Sequence, residues 1–236
     1  MEDVVILCGG RGTRLREHTQ AIPKALVEIG GRPILWHVIR IYAVHGFRRF
    51  LLCTGHRGAL IEEFVRDDGL PGELEIECVD TGEDTPTGGR VGLVAERLQG
   101  ERFCVTYADG VADLDLRDEL RFHATHGRQA TMTVVQPRLQ FGVAQLGAGD
   151  GVEGFEEKPR FDGWVNGGFF VFERAVLELL TRDSVLEREP LEHLARAREL
   201  RAFRHTGFWD CMDTYKDAVL LNDLWREERA PWKLWA

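Results

Sequence analysis

Residues 5–24 bring together the residue types that hold a chain of phosphates. An apolar run, Val5-Ile6-Leu7-Cys8, enters the turn Gly9-Gly10-Arg11-Gly12-Thr13-Arg14, and Pro23-Lys24 follows. A turn with so little side-chain bulk can lay backbone N–H groups against phosphate oxygens. Arg11, Arg14 and Lys24 can then neutralise the charge on those oxygens. This combination points to triphosphate chemistry. The turn is not one of the commoner phosphate loops. A dinucleotide fingerprint needs G-x-G-x-x-G, and Leu15 stands where the third glycine belongs. A P-loop needs G-K-[ST] after its last glycine, and here Gly12 is followed by Thr13-Arg14.

Carboxylates suited to a metal lie further on. Asp109 follows the apolar run Phe103–Ala108 and precedes Gly110. Such a carboxylate, facing a triphosphate, is a natural Mg²⁺ ligand, because Mg²⁺ takes one or two carboxylates and fills its shell with phosphate oxygens and water. Asp213 sits just before Thr214, a context that on its own reads as a helix cap. Asp210, Asp113 and Asp115 compete with it as second ligand. Phe155-Glu156-Glu157-Lys158-Pro159 sets a carboxylate beside a lysine, a surface ion pair unless a sugar phosphate meets it. Asn166, in Val165-Asn166-Gly167-Gly168-Phe169, offers an amide to a sugar hydroxyl, or forms an Asn-Gly turn. In Thr85-Pro86-Thr87-Gly88-Gly89-Arg90 a second glycine turn can meet a base, with Arg90 reaching a phosphate; an ordinary helix start is the alternative. His123 and His126, three apart with no third ligand in view, read as solvated helix residues rather than a zinc site.

The elements that must position these groups alternate. Strands are expected at Asp3–Leu7, Phe50–Cys53, Leu74–Val79, Phe103–Tyr107 and Ala130–Gln136. Helices are expected from Pro33 to about Gly46, and over Ala59–Val65, Val91–Leu98 and Leu116–His126. This rhythm indicates βαβ units and a mainly parallel sheet, whose ligands sit beyond the strand C-termini. After residue 136 come short strands at Gly142–Leu146, Val152–Glu156 and Gly168–Phe172, then helices over Ala175–Leu180, Leu191–Arg198 and Thr214–Glu227. The reading is a nucleotide-binding half (1–136) and a sugar-phosphate half (137–236) sharing one sheet, with no linker between them. The tail, Ala230-Pro231-Trp232-Lys233-Leu234-Trp235, is expected to dock on the body or on a partner subunit.

Composition narrows the partners. The formal net charge of −9 argues against nucleic acid or an anionic membrane as ligand. No apolar run reaches the roughly 18 residues of a membrane span, and no signal peptide is evident. Five scattered cysteines without C-x-x-C spacing suit buried free thiols in a reducing cytoplasm. There are 26 arginines but only four lysines: Lys24, Lys158, Lys216 and Lys233. A chain so biased can reserve lysine for places that need a compact point charge. Lys24 and Lys158 fall in candidate site strings; Lys216 and Lys233 need no special role.

Taken in order, these strings resemble the sugar-1-phosphate nucleotidyltransferase family across essentially the whole chain. Within it they are similar to the branch that joins CTP to glucose 1-phosphate. That branch is marked by Val27–His37, Val79–Gly82, Thr87–Arg90, Asp109–Asp115, Glu157–Pro159, Asn166–Phe170, Glu189–Leu191, Gly207–Trp209, Met212–Thr214 and Ala230–Lys233. The resemblance implies a Rossmann-like three-layer α/β fold with a mixed, mainly parallel sheet. It implies the Mg²⁺-dependent reaction of an NTP with a sugar 1-phosphate, giving an NDP-sugar and pyrophosphate in a cytoplasmic homo-oligomer. It places Leu7, Cys8, Gly9, Gly10, Arg11, Gly12 and Thr13 around the nucleotide, with Thr85, Thr87, Gly88, Arg90 and Ala108. Arg14 and Lys24 are matched to the triphosphate and transition-state charge, and Asp109 and Asp213 to Mg²⁺. Gly142, Glu157, Lys158 and Asn166 match the sugar-phosphate side. Two departures stand out. The segment between Val65 and Val79 is shorter than the family's, and Ala108 replaces a usual glycine. Both motivate a second expectation, GTP or another NTP with an unusual, higher-carbon sugar 1-phosphate. A rival from another class is a catalytically silent nucleotide-sugar sensor.

Overall fold

The computed structural model describes residues 2–10, 12, 22–67 and 70–235. Seven strands form one sheet: Asp3–Leu7 (β1), Arg49–Thr54 (β2), Glu75–Asp80 (β3), Arg102–Tyr107 (β4), Ala130–Val135 (β5), Val165–Glu173 (β6) and Leu200–Arg204 (β7). Their spatial order is β7-β5-β6-β4-β1-β2-β3. Six run parallel to one another, and β6 alone runs against both its neighbours. This is the mixed, mainly parallel Rossmann-like sheet expected, and strands from both halves of the chain build it.

The interior strand β1 is apolar after Asp3 and buried throughout, as a strand covered on both faces must be. Successive residues feed opposite cores. Val4 and Ile6 pack with Phe50, Leu52, Phe169 and Val171 on one face. Val5 and Leu7 pack with Leu51, Phe103, Val105 and Phe170 on the other. Helices Ile34–Val44 (α1), Gly58–Asp67 (α2), Leu116–His126 (α4) and Tyr215–Arg226 (α6) cover the first face. Thr87–Leu93 (α3) and Glu189–Arg196 (α5) cover the second. The period of two along β1 thus yields the three layers.

Local signals explain the helix ends. Asp115 caps α4 by accepting from the N–H groups of Arg117 and Asp118, and Gly127 closes it at φ 59°. Thr214 and Asp217 form a capping box on α6. The tail docks on the body: Trp232 is fully buried, stacked near Phe208 and Trp225, and donates to Nδ1 of His37. All five cysteines are free; Cys8, Cys53 and Cys104 are buried. No helix among the described residues is long and apolar enough to cross a membrane.

Several elements differ from expectation. The helix expected from Val91 begins at Thr87 and passes into a 3-10 turn at Ala95–Arg97. The strand expected at Gly168–Phe172 is longer, Val165–Glu173. Leu200–Arg204 is a strand beyond those expected; it lies at the sheet edge, where Arg201 and Arg204 reach solvent. A ribbon pairing Gly110–Ala112 with Trp209–Cys211 was also unforeseen, because strands of three residues leave no periodicity to read. His123 is no solvated residue. It is buried between Thr131 Oγ1, at 2.8 Å, and a Glu173 carboxylate oxygen, at 3.0 Å.

Candidate active site

The parallel register brings the ends of β1 and β4 side by side, with Leu7 opposite Tyr107. Gly9-Gly10 and Asp109 therefore leave adjacent strands at one edge. Because β6 is antiparallel, its first residues, Val165 and Asn166, reach that same edge. The ribbon adds the last piece. Cys211 pairs with Gly110, and the Met212 N–H donates to the Asp109 carbonyl at 2.9 Å. This register delivers Asp213 beside Asp109, although 104 positions separate them in the numbering.

Lys24 meets both carboxylates. It opens a 3-10 turn, Lys24–Leu26, anchored by buried Ala25. Its Nζ lies 2.6 Å from Asp109 Oδ2 and 2.7 Å from Asp213 Oδ1. Burial pulls the ammonium's pKa down, but the Asp109 charge, with hydrogen bonds to both carboxylates, outweighs it and leaves the pKa raised. Lys24 is therefore a held cation. The two carboxylates converge on one cationic position, which is what a divalent ion requires. Among the described residues no third His, Cys, Asp or Glu joins them. An ion there would have to fill its shell with phosphate oxygens and water, the habit of Mg²⁺.

Asp109 and Asp213 border a cleft of about 210 Å³ with Tyr107, Asn166, Gly168 and Trp209. Asn166 Oδ1 accepts from the Gly168 N–H at 2.8 Å. Gly168 has φ +82°, and a Cβ there would stand 2.7 Å from the Tyr107 ring, so glycine is required on both counts.

The competing aspartates have other work. Asp113 accepts from the Phe208 N–H at 2.7 Å and faces His205 Nε2 at 3.0 Å. Asp115 caps α4. Asp210 accepts from the Cys211 N–H, and burial pushes its carboxyl up to about 6. Asp213 is not the cap of α6; that role belongs to Thr214.

The nucleotide-side candidates divide. Gly9 and Gly10 stand at the end of β1, Gly10 open to solvent, while Leu7 and Cys8 are buried in the sheet. Arg11, Thr13 and Arg14 lie outside the described residues, as does the rest of 13–21; Gly12 has φ +58°. Arg90 departs from expectation. Its buried guanidinium donates to the carbonyls of Thr54 (2.8 Å), Gly9 (3.0 Å) and Glu83 (3.2 Å), and to Thr81 Oγ1 (2.6 Å). It holds the glycine turn from behind rather than reaching for a phosphate. A Cβ on Gly9 would overlap that guanidinium. Thr87 and Gly88 make contacts within the protein. Thr87 Oγ1 donates to Glu187 at 2.6 Å, and Gly88 packs on Ser184. Thr85 Oγ1 donates to the Thr81 carbonyl. The Ala108 methyl is buried in the core.

The sugar-side candidates divide too. Asn166 lines the cleft; Gly142, Glu157 and Lys158 do not. Lys158, at φ +50°, lies 3.4 Å from Glu157 Oε1 in an exposed pair. Gly142 lies against Phe155 and the Glu157 carboxylate, on the ribbon Val143–Leu146/Val152–Glu156. Tyr107 and Glu187 are not among the residues the sequence singles out. Tyr107 could have been found as the residue ending the strand before Asp109; Glu187 carries no signal of its own.

Known proteins share this arrangement of sequence. The profile of the nucleotidyl transferase family matches residues 3–205. Glucose-1-phosphate cytidylyltransferase of Salmonella typhimurium is 44% identical over 254 aligned positions, spanning 98% of each chain. The probable glucose-1-phosphate cytidylyltransferase of Bacillus subtilis is 40% identical over 98% of this chain and 99% of its own. The Salmonella alignment exceeds the 236 residues here, so that relative carries residues with no counterpart in this chain. The fold of HddC from Yersinia pseudotuberculosis, solved with GMP-PN, superposes with a TM-score of 0.74 over 95% of this chain and all of that one, at 21% identity. With sequence agreement running from the first strand through the strand that precedes the ribbon, the chain is a nucleotidyltransferase and belongs to the nucleotidyl transferase family.

Proposed function

We propose that the protein joins CTP to glucose 1-phosphate, giving CDP-glucose and pyrophosphate. The observation that carries this reading is the Lys24 ammonium held between Asp109 and Asp213, two carboxylates that line a cleft shared with Asn166. The choice of base and sugar rests on the named activities of the 40–44% identical relatives.

The reaction is an in-line displacement. A phosphate oxygen of the sugar phosphate attacks the α-phosphorus of the triphosphate. A new P–O bond forms, the α–β P–O bond breaks, and its electron pair leaves on pyrophosphate. A phosphate monoester dianion is already a competent nucleophile, so no strong general base is required. Catalysis is alignment and charge neutralisation. The glycine turn at Gly9-Gly10 would line the triphosphate with backbone N–H groups, held there by Arg90. Lys24 would neutralise charge at the α-phosphate and leaving group, assisted by Arg14 from the same motif. Asn166 would take a sugar hydroxyl, and Glu157 and Lys158 would meet the sugar phosphate from the exposed ribbon. Asp109 and Asp213 would hold Mg²⁺, which supplies Lewis-acid polarisation of the phosphates when bound.

The experiment is pyrophosphate release from CTP, GTP, UTP, dTTP and ATP, each against several sugar 1-phosphates, with Mg²⁺ and with EDTA. Mg²⁺-dependent release from CTP and glucose 1-phosphate is the expected result. A second pair of substrates is favoured by one observation: only residues 68–74 join α2 to β3, in a chain shorter than its alignment with the Salmonella relative. Release confined to another pair would establish that reading. NTP binding with no release from any pair would instead leave a sensor.

A further inference from the structure

Glu187 lies outside the cleft, yet one of its carboxylate oxygens is engaged by a residue of the cleft wall and the other by Thr87 at the start of α3. Oε1 accepts the phenol O–H of Tyr107. Oε2 accepts from Thr87 Oγ1 at 2.6 Å, and that oxygen in turn accepts from the Leu186 N–H at 2.9 Å. Tyr107 lines the cleft and packs on Gly168. Asn166 Nδ2 donates to the Tyr107 oxygen at 3.5 Å, while its Oδ1 accepts from the Gly168 N–H. One carboxylate therefore stands two hydrogen bonds from the amide that faces the cleft.

A phenol has one proton to donate and lone pairs to accept with. Once Glu187 takes the proton, the Tyr107 oxygen can only accept from Asn166. That constraint and the Gly168 N–H fix the same rotamer of the amide: oxygen toward Gly168, nitrogen toward Tyr107. One N–H of Asn166 is then left to point at a ligand. Burial, and then the Glu187 charge, keep the phenol protonated, so it stays a donor. Without Glu187 the phenol could turn its O–H toward the amide and compete with Gly168 for Oδ1.

We propose that Glu187 is a positioning residue for the sugar phosphate: it orients Tyr107, and through it the Asn166 amide. The proposal rests on the reading that Asn166 meets the sugar.

Steady-state kinetics on the full chain test it, using the substrate pair that releases pyrophosphate, with thermal melting alongside. Glu187→Ala and Tyr107→Phe should each raise KM for the sugar phosphate about 3–10-fold, the worth of one hydrogen bond. KM for the nucleotide should move less than about twofold, and the double variant should be no worse than either single one. Glu187→Gln keeps an oxygen for Tyr107 and should recover most of the loss. Tyr107→Phe keeps the proposal testable if Glu187→Ala fails to fold. A Glu187→Ala protein with a lower melting temperature but an unchanged sugar-phosphate KM would overturn the proposal, and so would equal changes in both KM values. Asn166→Ala separates the two levels. If it leaves the sugar-phosphate KM unchanged, the reading beneath the proposal falls. If it raises that KM while Glu187→Ala does not, the proposal alone falls.

Discussion

Lys24 and Asp109 stand 85 residues apart in sequence, and their charged atoms are 2.6 Å apart at the end of β4. The lysine is held from two sides, since Asp213 lies at 2.7 Å. A cation held at this edge of the sheet is at hand to meet charge as it builds on a phosphate. Lys24→Ala should lose about 10²–10³-fold in turnover, the range for one preorganised donor. Lys24→Arg should not restore it, because a planar fork cannot take the position of a point charge between two carboxylates. A loss below about threefold in kcat would remove Lys24 from the mechanism.

The same geometry makes a prediction about metal. The Lys24 ammonium occupies the position on which Asp109 and Asp213 converge. A divalent ion entering there must displace a like charge or sit beside it, at a cost of several kcal/mol. Lys24→Met should therefore bind Mn²⁺ about tenfold or more tightly than the wild type when no nucleotide is present. Electron paramagnetic resonance of free Mn²⁺ measures this without turnover. Equal affinities would place the metal away from these carboxylates.

Arg90 links the glycine turn to two neighbouring strand ends, so its loss should be felt in both stability and binding. Removing the guanidinium deletes its hydrogen bonds to the carbonyls of Gly9, Thr54 and Glu83 and to Thr81 Oγ1, although Gly9 still accepts from the His56 N–H and Thr54 from the Thr81 N–H and Oγ1. Losing four hydrogen bonds from a charged donor, together with the packing of a buried side chain, should destabilise Arg90→Ala on the order of 3 kcal/mol. Gly9→Ala attacks the contact from the other side, since its Cβ overlaps the guanidinium. It should weaken nucleotide binding more than it lowers the melting temperature, because only the turn has to move. Calorimetric titration with CTP, paired with thermal melts, separates the two effects.

Glu119 supplies a pH dependence of stability. It is fully buried on α4, accepts from Thr133 Oγ1 at 2.6 Å, and burial pushes its pKa from 4.5 to about 7. The folded protein binds this proton more tightly than the unfolded chain does. The associated stability is fully present below about pH 4.5 and is lost as pH rises through about 7. Glu119→Gln carries no proton to lose and keeps an acceptor for Thr133. Its melting temperature should exceed the wild type's at pH 8 and converge on it near pH 5. Parallel curves across that range would refute the assignment.

The chain announces its catalytic edge more clearly than its architecture. The run Val5–Cys8 into Gly9-Gly10, and Phe103–Ala108 into Asp109, read as strand ends that carry chemistry, and the sheet puts them side by side. Lys24 and Asp213 are legible as residues but not as neighbours. Their meeting depends on the ribbon Gly110–Ala112/Trp209–Cys211, whose pairing is set by tertiary packing and not by any local period. The reversed direction of β6 is likewise invisible, because a buried strand has the same apolar pattern either way. Arg90 misleads for a related reason. An arginine after a glycine turn looks aimed at phosphate, and only the surrounding carbonyls show that its fork is already filled.

The tail makes the last prediction. Trp232 is fully buried, stacked at 5.4 Å on Phe208 and 6.5 Å on Trp225, with its indole N–H on His37 Nδ1. His37 in turn bonds the Ile29 carbonyl at 2.8 Å, and burial lowers its pKa to about 4, so it stays neutral and can accept. Ile29 belongs to the hairpin that follows Lys24. The tail therefore braces the segment that presents Lys24. Trp232→Ala should cost about 3–5 kcal/mol, the range for a buried tryptophan. Trp232→Phe keeps the stacking but strands Nδ1, and should cost about 1–3 kcal/mol. Denaturant titration gives both figures. If the brace reaches the site, Trp232→Phe should also lower kcat while leaving KM for both substrates nearly unchanged, and an unaltered kcat would confine the tail to stability.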